Sequence, residues 1–190
     1  MLKRKKLVAL ELKKLAKNLL KKAKSREEFV EKEVNLAHIR KKLVDNNEKL
    51  LENKIKSKEI LKFPEEVIKN ERDFINYHEK VAENQLEIAK HHKEIAKLEE
   101  KLANSKILLA NSKIHVSKTR IKLGKLQLKY VKAIQNKSPE KAMVIKSLYK
   151  QEQKDLDHQL KELIEKERDV KIIQNDIANL TSKLSQTLIK

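Results

Sequence analysis

Residues 149–184 read YKQEQKDLDHQLKELIEKERDVKIIQNDIANLTSKL, and this stretch decides the fold class. An apolar residue recurs in it every seven positions, at Tyr149, Leu156, Leu163, Val170, Ile177 and Leu184. Leu160, Ile173 and Leu180 fill intermediate positions three or four residues away. Six consecutive heptad positions predict one long helix that packs in a coiled coil.

Two prolines predict where the long helices begin. Ser138-Pro139-Glu140 combines an N-cap residue, a proline suited to the first helical position and an acidic residue for the first turn. Lys62-Phe63-Pro64-Glu65-Glu66 predicts an earlier break. The resulting map has helices at about 2–61, 64–136 and 139–190, roughly 90, 110 and 80 Å long. Ser25 and Glu28 form a capping box that favours a further division of the first helix.

The second predicted helix is apolar on two opposite sides from about residue 98 onward. One stripe includes Leu102, Leu109 and Val116, and the other includes small residues at Ala103, Ala110, Ser117 and Gly124. We expect two neighbours to sandwich this helix and the small residues to admit one of them closely. The sequence therefore predicts an all-α fold: an elongated antiparallel three-helix coiled-coil bundle, with a second copy burying the surplus apolar surface in a dimer.

Composition excludes most catalytic classes. The 190 residues include one glycine, two prolines and no cysteine. Glycine-rich phosphate loops, thiol nucleophiles and thiolate metal sites are therefore excluded. Each candidate histidine has only one carboxylate at a usable helical spacing, as in Glu87 with His91 and Asp155 with His158. Two ligands are too few for a metal site in a helical bundle. We therefore expect that the protein is not an enzyme and that it binds neither a metal ion nor a cofactor.

The net charge of +18 is concentrated in two stretches. Residues 1–24 hold ten Lys or Arg and one acidic residue, for a net charge of +9. Residues 101–137 hold another ten Lys or Arg and no Asp or Glu, whereas the rest of the chain is nearly neutral. Solvated helices usually interleave both signs, so this asymmetry predicts an anionic partner.

Both basic stretches are predicted to bind an anionic membrane surface. Residues 1–24 are predicted to be an amphipathic basic N-terminal helix ahead of a bundle formed by residues 25–190. Its membrane-binding residues would be Lys3, Arg4, Lys5, Lys6, Lys13, Lys14, Lys17, Lys21, Lys22 and Lys24. The second predicted group leads into the turn between helices 2 and 3 and comprises Lys113, Lys118, Arg120, Lys122, Lys125, Lys129, Lys132, Lys137 and Lys141.

This arrangement resembles the BAR-domain superfamily. The resemblance rests on the three helix lengths, the two-sided second helix, the basic turn at Lys137-Ser138-Pro139-Glu140-Lys141 and the segment Met1–Lys24. It implies a homodimeric, curved protein that binds, senses or shapes membranes. A peripheral membrane location facing the cytoplasm is the corresponding expectation.

Two other functions stay open at this point. A coiled-coil scaffold or stalk that binds another protein needs only the heptads. Non-specific nucleic-acid binding needs only the lysine clusters, although the six aromatic residues of the chain offer no stacking platform for single strands. Residues 1–24 could serve as a membrane anchor, as the opening turns of helix 1 or as a targeting segment.

Overall fold

A computed structural model describes residues 2–57 and 64–187. It contains three α-helices: α1 (Leu2–Lys56), α2 (Glu65–Gln135) and α3 (Pro139–Thr187). These helices have 55, 71 and 49 residues, and the described ranges contain no strand. The prediction of an all-α protein is confirmed.

The start of α2 follows from the proline that precedes it. The Pro64 carbonyl accepts hydrogen bonds from the Val67 N–H at 3.1 Å and the Ile68 N–H at 3.4 Å. Glu65 and Glu66 occupy the first turn, where the helix dipole favours acidic side chains. The sequence KEILKF at 58–63, which includes the end of the predicted first helix, lies outside the described residues.

The α2–α3 turn is closed by a Schellman motif centred on Lys137. This residue has a φ of 51°, in the left-handed region. Its N–H donates to the Ile134 carbonyl at 3.0 Å, and the Ser138 N–H donates to the Ala133 carbonyl at 3.0 Å. These two bonds satisfy carbonyl groups that the end of α2 would otherwise leave without partners.

Ser138 starts α3 through its backbone. Its carbonyl accepts the Ala142 N–H at 3.1 Å, and Pro139 takes the first helical position as expected. The Ser138 hydroxyl donates to the Asn136 carbonyl at 3.4 Å, so it bonds backward along the chain and not to the first turn of α3. The N-cap position is therefore as predicted, but the side-chain cap is not formed.

Helix α1 passes through Ser25 without a break, which corrects the expected division of the first helix. A capping box starts a helix only where the preceding residues leave helical geometry. Here Ala23 is buried and its neighbours Lys22 and Lys24 are good helix formers, so the helix continues. The division into domains at residues 24 and 25 stays a prediction.

The chain forms two compact units. Unit 1 comprises Met1–Ala23 and Leu98–Asp176, and unit 2 comprises Lys24–Lys97 and Ile177–Lys190. In unit 2, Val44 and Leu51 of α1 pack against Ile75 of α2. Residue numbers of contacting pairs rise along α1 and fall along α2: Glu33 contacts His92, Arg40 contacts Gln85 and Lys54 contacts Glu71. The two helices are therefore antiparallel in this unit.

In unit 1, α2 contacts both of the other helices. Val116 and Leu123 pack against Leu156 of α3, with Tyr149, Leu160 and Leu163 around them. Polar contacts follow the same antiparallel order: Thr119 donates to Gln159 at 3.0 Å, and Lys166 donates to Ser112 at 2.7 Å. On its other side, Ser117 of α2 shares a groove with Ala9 of α1.

Alanine heptads form the buried seam between α1 and α2 within each unit. In α1 the buried positions are Ala9, Ala16, Ala23, Val30, Ala37, Val44 and Leu51. In α2 they are Ile75, Ala82, Ala89, Ala96, Ala103, Ala110 and Ser117. Both runs have a spacing of seven residues. Small side chains let helix axes approach closely, so the expectation that Ala103, Ala110 and Ser117 admit a near neighbour agrees with their burial.

The same expectation is wrong at Gly124. A Cβ atom placed on this residue would have no atom within 4 Å, so nothing packs closely there. Gly124 lies one heptad beyond Ser117, which shares a groove with Ala9. Because α1 begins at Leu2, one heptad before Ala9, the seam ends level with the first turn of α1.

Candidate functional site

The positive charge belongs almost entirely to unit 1. Its two segments hold 27 Lys or Arg and 12 Asp or Glu, for a net charge of +15. Unit 2 holds 19 Lys or Arg and 16 Asp or Glu, for a net charge of +3. The two basic stretches of the sequence therefore belong to one compact body, with Lys24 the single predicted site residue in unit 2.

The N-terminal segment of α1 packs through alanine and leaves its large apolar residues exposed. Ala9, Ala16 and Ala23 are 2–3% exposed. Leu7, Val8, Leu10, Leu12, Leu15 and Leu19 keep 43–60% of their surface exposed. The apolar residues of this segment are therefore divided: Val8, Leu12, Leu15 and Leu19 are exposed, and Ala23 belongs to the buried seam.

The predicted N-terminal cations lie around this exposed apolar surface. Arg4, Lys5, Lys14, Lys17, Lys21, Lys22 and Lys24 are exposed, and Lys6 and Lys13 are half-buried. The Lys3 side chain lies outside the described residues. The opening turns of α1 thus pack against the fold, which is one of the three alternatives that the sequence left open, and they also present a basic and apolar surface.

Two of the predicted cations in the acid-free stretch pair with glutamates of α3. The Lys113 Nζ atom lies 2.9 Å from Glu167 Oε1, and Lys122 donates to the half-buried Glu152. These contacts link α2 to α3, so both lysines have a structural role. Arg120 is half-buried. The other predicted cations on α2 and at the turn are exposed: Lys118, Lys125, Lys129, Lys132, Lys137 and Lys141.

The α2–α3 turn presents apolar side chains among these lysines. At this end of the hairpin the small residues Ala133 and Ala142 are buried. Six larger residues are 47–75% exposed: Leu128, Val131, Ile134, Met143, Val144 and Leu148. We call residues 125–148 the tip. Sequence patterning placed lysines here but did not show that the large apolar side chains face outward.

Unit 2 carries a different exposed surface, which includes an apolar stripe on α1. Phe29, Leu36, Leu43 and Leu50 recur every seven residues on α1 and are 57–60% exposed. Each immediately precedes a buried seam residue, so the stripe runs beside the alanine seam. We call these four residues the α1 stripe. The sequence showed both rows, but hydrophobicity alone does not indicate that the smaller residues form the buried one.

Histidine and carboxylate contacts occur only as pairs in the ranges 2–57 and 64–187. His92 Nδ1 lies 3.1 Å from Glu33 Oε2, His91 Nε2 lies 3.9 Å from Glu87 Oε1, and His158 Nδ1 lies 3.5 Å from Glu162 Oε1. Within those ranges no three His, Asp or Glu side chains are grouped closely enough to hold a metal ion.

Within the part of the chain that the structure describes, no helix contains an apolar stretch long enough to cross a membrane. Comparison of the chain with protein-family models, curated proteins and solved structures finds no match. Function must therefore be inferred from the chemistry of the surface.

Proposed function

We propose that this protein binds anionic membrane surfaces peripherally through unit 1, as a non-enzymatic helical protein. The observation that carries this proposal is the tip, where exposed lysines alternate with exposed leucine, valine, isoleucine and methionine. Lysines attract an anionic leaflet with about 1 kcal/mol each. Apolar side chains at the same place can enter the boundary between headgroups and acyl chains.

A nucleic-acid partner would use the lysines but not the apolar residues of the tip. Phosphate backbone binding is an electrostatic interaction with cations and gains nothing from exposed Met143 or Val144. Large exposed apolar residues beside cations are typical of surfaces that meet lipid. This difference favours the membrane over DNA or RNA.

The proposal includes a three-helix bundle that dimerises through the α1 stripe. The stripe consists of four large apolar residues at heptad spacing, each more than half exposed, and it forms the surface that a second helix pair would cover. A homodimer would present two copies of unit 1 to the same membrane, which raises the effective affinity. The BAR-like architecture inferred from the sequence, including curvature sensing or shaping, belongs to this proposal.

The experiment is co-sedimentation of the purified protein with vesicles, anionic in one arm and neutral in another. The test variant replaces Lys118, Lys125, Lys129 and Lys132 with Glu. Lys122 is left in place because it pairs with Glu152. Losing four contacts of about 1 kcal/mol each should weaken binding to anionic vesicles by about 1,000-fold.

A matched control reverses the same amount of charge in unit 2, at the exposed residues Lys41, Lys42, Lys49 and Lys90. If binding depends on unit 1, this control should retain most of its affinity. Equal losses in the two variants would mean that only net charge matters, and absence of binding to anionic vesicles would refute the proposal. A parallel lane with DNA tests the nucleic-acid alternative, and a protein scaffold would bind neither.

A further inference from the structure

A groove in unit 1 is built by all three helices. Val8 and Leu12 of α1, Val116 of α2 and Leu163 of α3 contribute its apolar surface. Its volume is about 490 Å³, within the range of roughly 300–1,000 Å³ that is typical of small-molecule sites. The groove is therefore large enough for a ligand and is mostly apolar inside.

Four cations line this groove: Arg4, Lys5, Lys113 and Arg120. The chain has six arginines against 40 lysines, and two of those six are here. Arginine differs from lysine because its planar fork binds a phosphate with two parallel hydrogen bonds. The concentration of arginine at one groove indicates recognition of a phosphate group and not only general attraction to negative charge.

The other polar groups near the groove already have partners. The Ser117 hydroxyl donates to the Lys113 carbonyl at 2.8 Å. Glu167 lies 2.9 Å from the Lys113 ammonium and is the acidic group facing that cation. Arg4, Lys5 and Arg120 thus supply the main charge for a ligand, with Lys113 shared between the ligand and Glu167.

We propose that this groove binds one molecule of an anionic phospholipid. The phosphate lies between Arg4 and Arg120, and an acyl chain follows Val8, Leu12 and Leu163. A free phosphate would leave the apolar surface exposed, and an uncharged lipid would leave the cations without a partner. A zwitterionic lipid would bring its own cation beside the arginines. This inference rests on the proposed membrane function and adds a stoichiometric, headgroup-selective site to it.

The test uses a lipid that is monomeric in solution, so that binding does not require a membrane. Dihexanoyl phosphatidic acid below its micelle concentration is titrated into the full-length protein in a calorimeter. We expect saturable binding with one lipid per chain. Inorganic phosphate supplies the anion without acyl chains, and dihexanoyl phosphatidylcholine supplies both but carries a choline cation beside its phosphate. Each should bind at least about tenfold more weakly than dihexanoyl phosphatidic acid.

The test variant is Arg4→Gln with Arg120→Gln, which should weaken binding by about tenfold or more per arginine. The matched control is Lys150→Gln with Lys154→Gln, which removes the same charge from exposed positions of unit 1 outside the groove and outside both predicted membrane-binding groups, and should leave lipid affinity within about twofold. A second variant, Leu12→Glu, places a carboxylate in the path of the acyl chain and should weaken lipid binding by about tenfold or more. Leu12 is 43% exposed, so we expect this variant to fold.

The outcomes separate this site from the broader function. If wild-type protein sediments with anionic vesicles but does not bind monomeric lipid saturably, the groove proposal is wrong and the membrane proposal stands. Equal loss in the Arg4/Arg120 and Lys150/Lys154 variants would also overturn the groove proposal. If neither vesicles nor monomeric lipid bind, both proposals fail.

Discussion

Lys137 occupies the position in the α2–α3 turn that glycine usually takes. Its φ of 51° costs a residue with a Cβ atom about 1–2 kcal/mol relative to glycine. We expect Lys137→Gly to raise the free energy of unfolding by about 1 kcal/mol and to raise the melting temperature measured by circular dichroism. Lys141→Gly, which places glycine inside the first turns of α3, should lower stability by about 1 kcal/mol. An unchanged or lower melting temperature for Lys137→Gly would show that the turn is not strained.

Gly124 provides the opposite case, a glycine inside a helix that no packing contact requires. Its backbone is helical with negative φ, and a Cβ atom would meet nothing within 4 Å. Gly124→Ala should therefore raise the free energy of unfolding by about 0.5–1 kcal/mol, as measured by urea denaturation. Gln127→Ala, at an exposed position nearby, should change it by only a few tenths of a kcal/mol. Destabilisation by Gly124→Ala would mean that a neighbour approaches this site after all.

At the scale of the helical element, the tip is expected to insert apolar side chains into the membrane. Met143→Ser with Val144→Ser should weaken binding to anionic vesicles by about tenfold or more, since burying such side chains contributes about 1.5–3 kcal/mol each when complete. The salt dependence of binding should stay the same because no charge changes. Ile164→Ser with Ile172→Ser, exposed on α3 outside the tip, should have little effect. Equal effects of the two double variants in the vesicle assay would contradict insertion by the tip.

The starts of α2 and α3 could be predicted from the sequence, because prolines and acidic first turns act locally. Pro64 and Pro139 mark the starts of α2 and α3 in the structure. The seam could not be predicted in the same way. On α1, a row of large residues runs beside a row of mostly small ones, and both have the heptad period. Hydropathy favours the larger residues as the core, whereas close helix approach buries Ala9, Ala16 and Ala37.

The same limit applied to the candidate site. Charge counting along the sequence found the lysines of residues 1–24 and 101–137 without any structure. It did not show that Lys113 and Lys122 pair with α3, because the partners Glu167 and Glu152 are 54 and 30 residues away along the chain. It also did not show the groove, since Arg4 and Arg120 line the same groove only when α1 and α2 pack side by side.

For the whole molecule, the α1 stripe is the surface through which we expect two copies to associate. Leu36→Glu with Leu43→Glu should convert the dimer to a monomer, because it would place carboxylates without partners in the buried dimer interface. Light scattering coupled to size-exclusion chromatography measures the mass of each variant. Asn35→Glu with His38→Glu adds the same charge at exposed positions of the same helix and should leave the dimer intact. A wild-type mass equal to one 22.3 kDa chain would refute dimerisation.

The alanine seam also determines how firmly the α1–α2 pair of unit 2 is aligned. On the α2 side of this pair the seam repeats alanine at Ala82, Ala89 and Ala96. Sliding one helix by seven residues would therefore present the same small side chain to most seam positions of α1, so α2 packing alone discriminates weakly between the two alignments. Discrimination comes from the few bulky seam residues, Val30, Val44 and Leu51, and from polar pairs such as His92 with Glu33. A smooth seam thus leaves only a small energetic difference between neighbouring alignments. Truncating those bulky residues to alanine would therefore allow the two helices to shift along each other by one heptad.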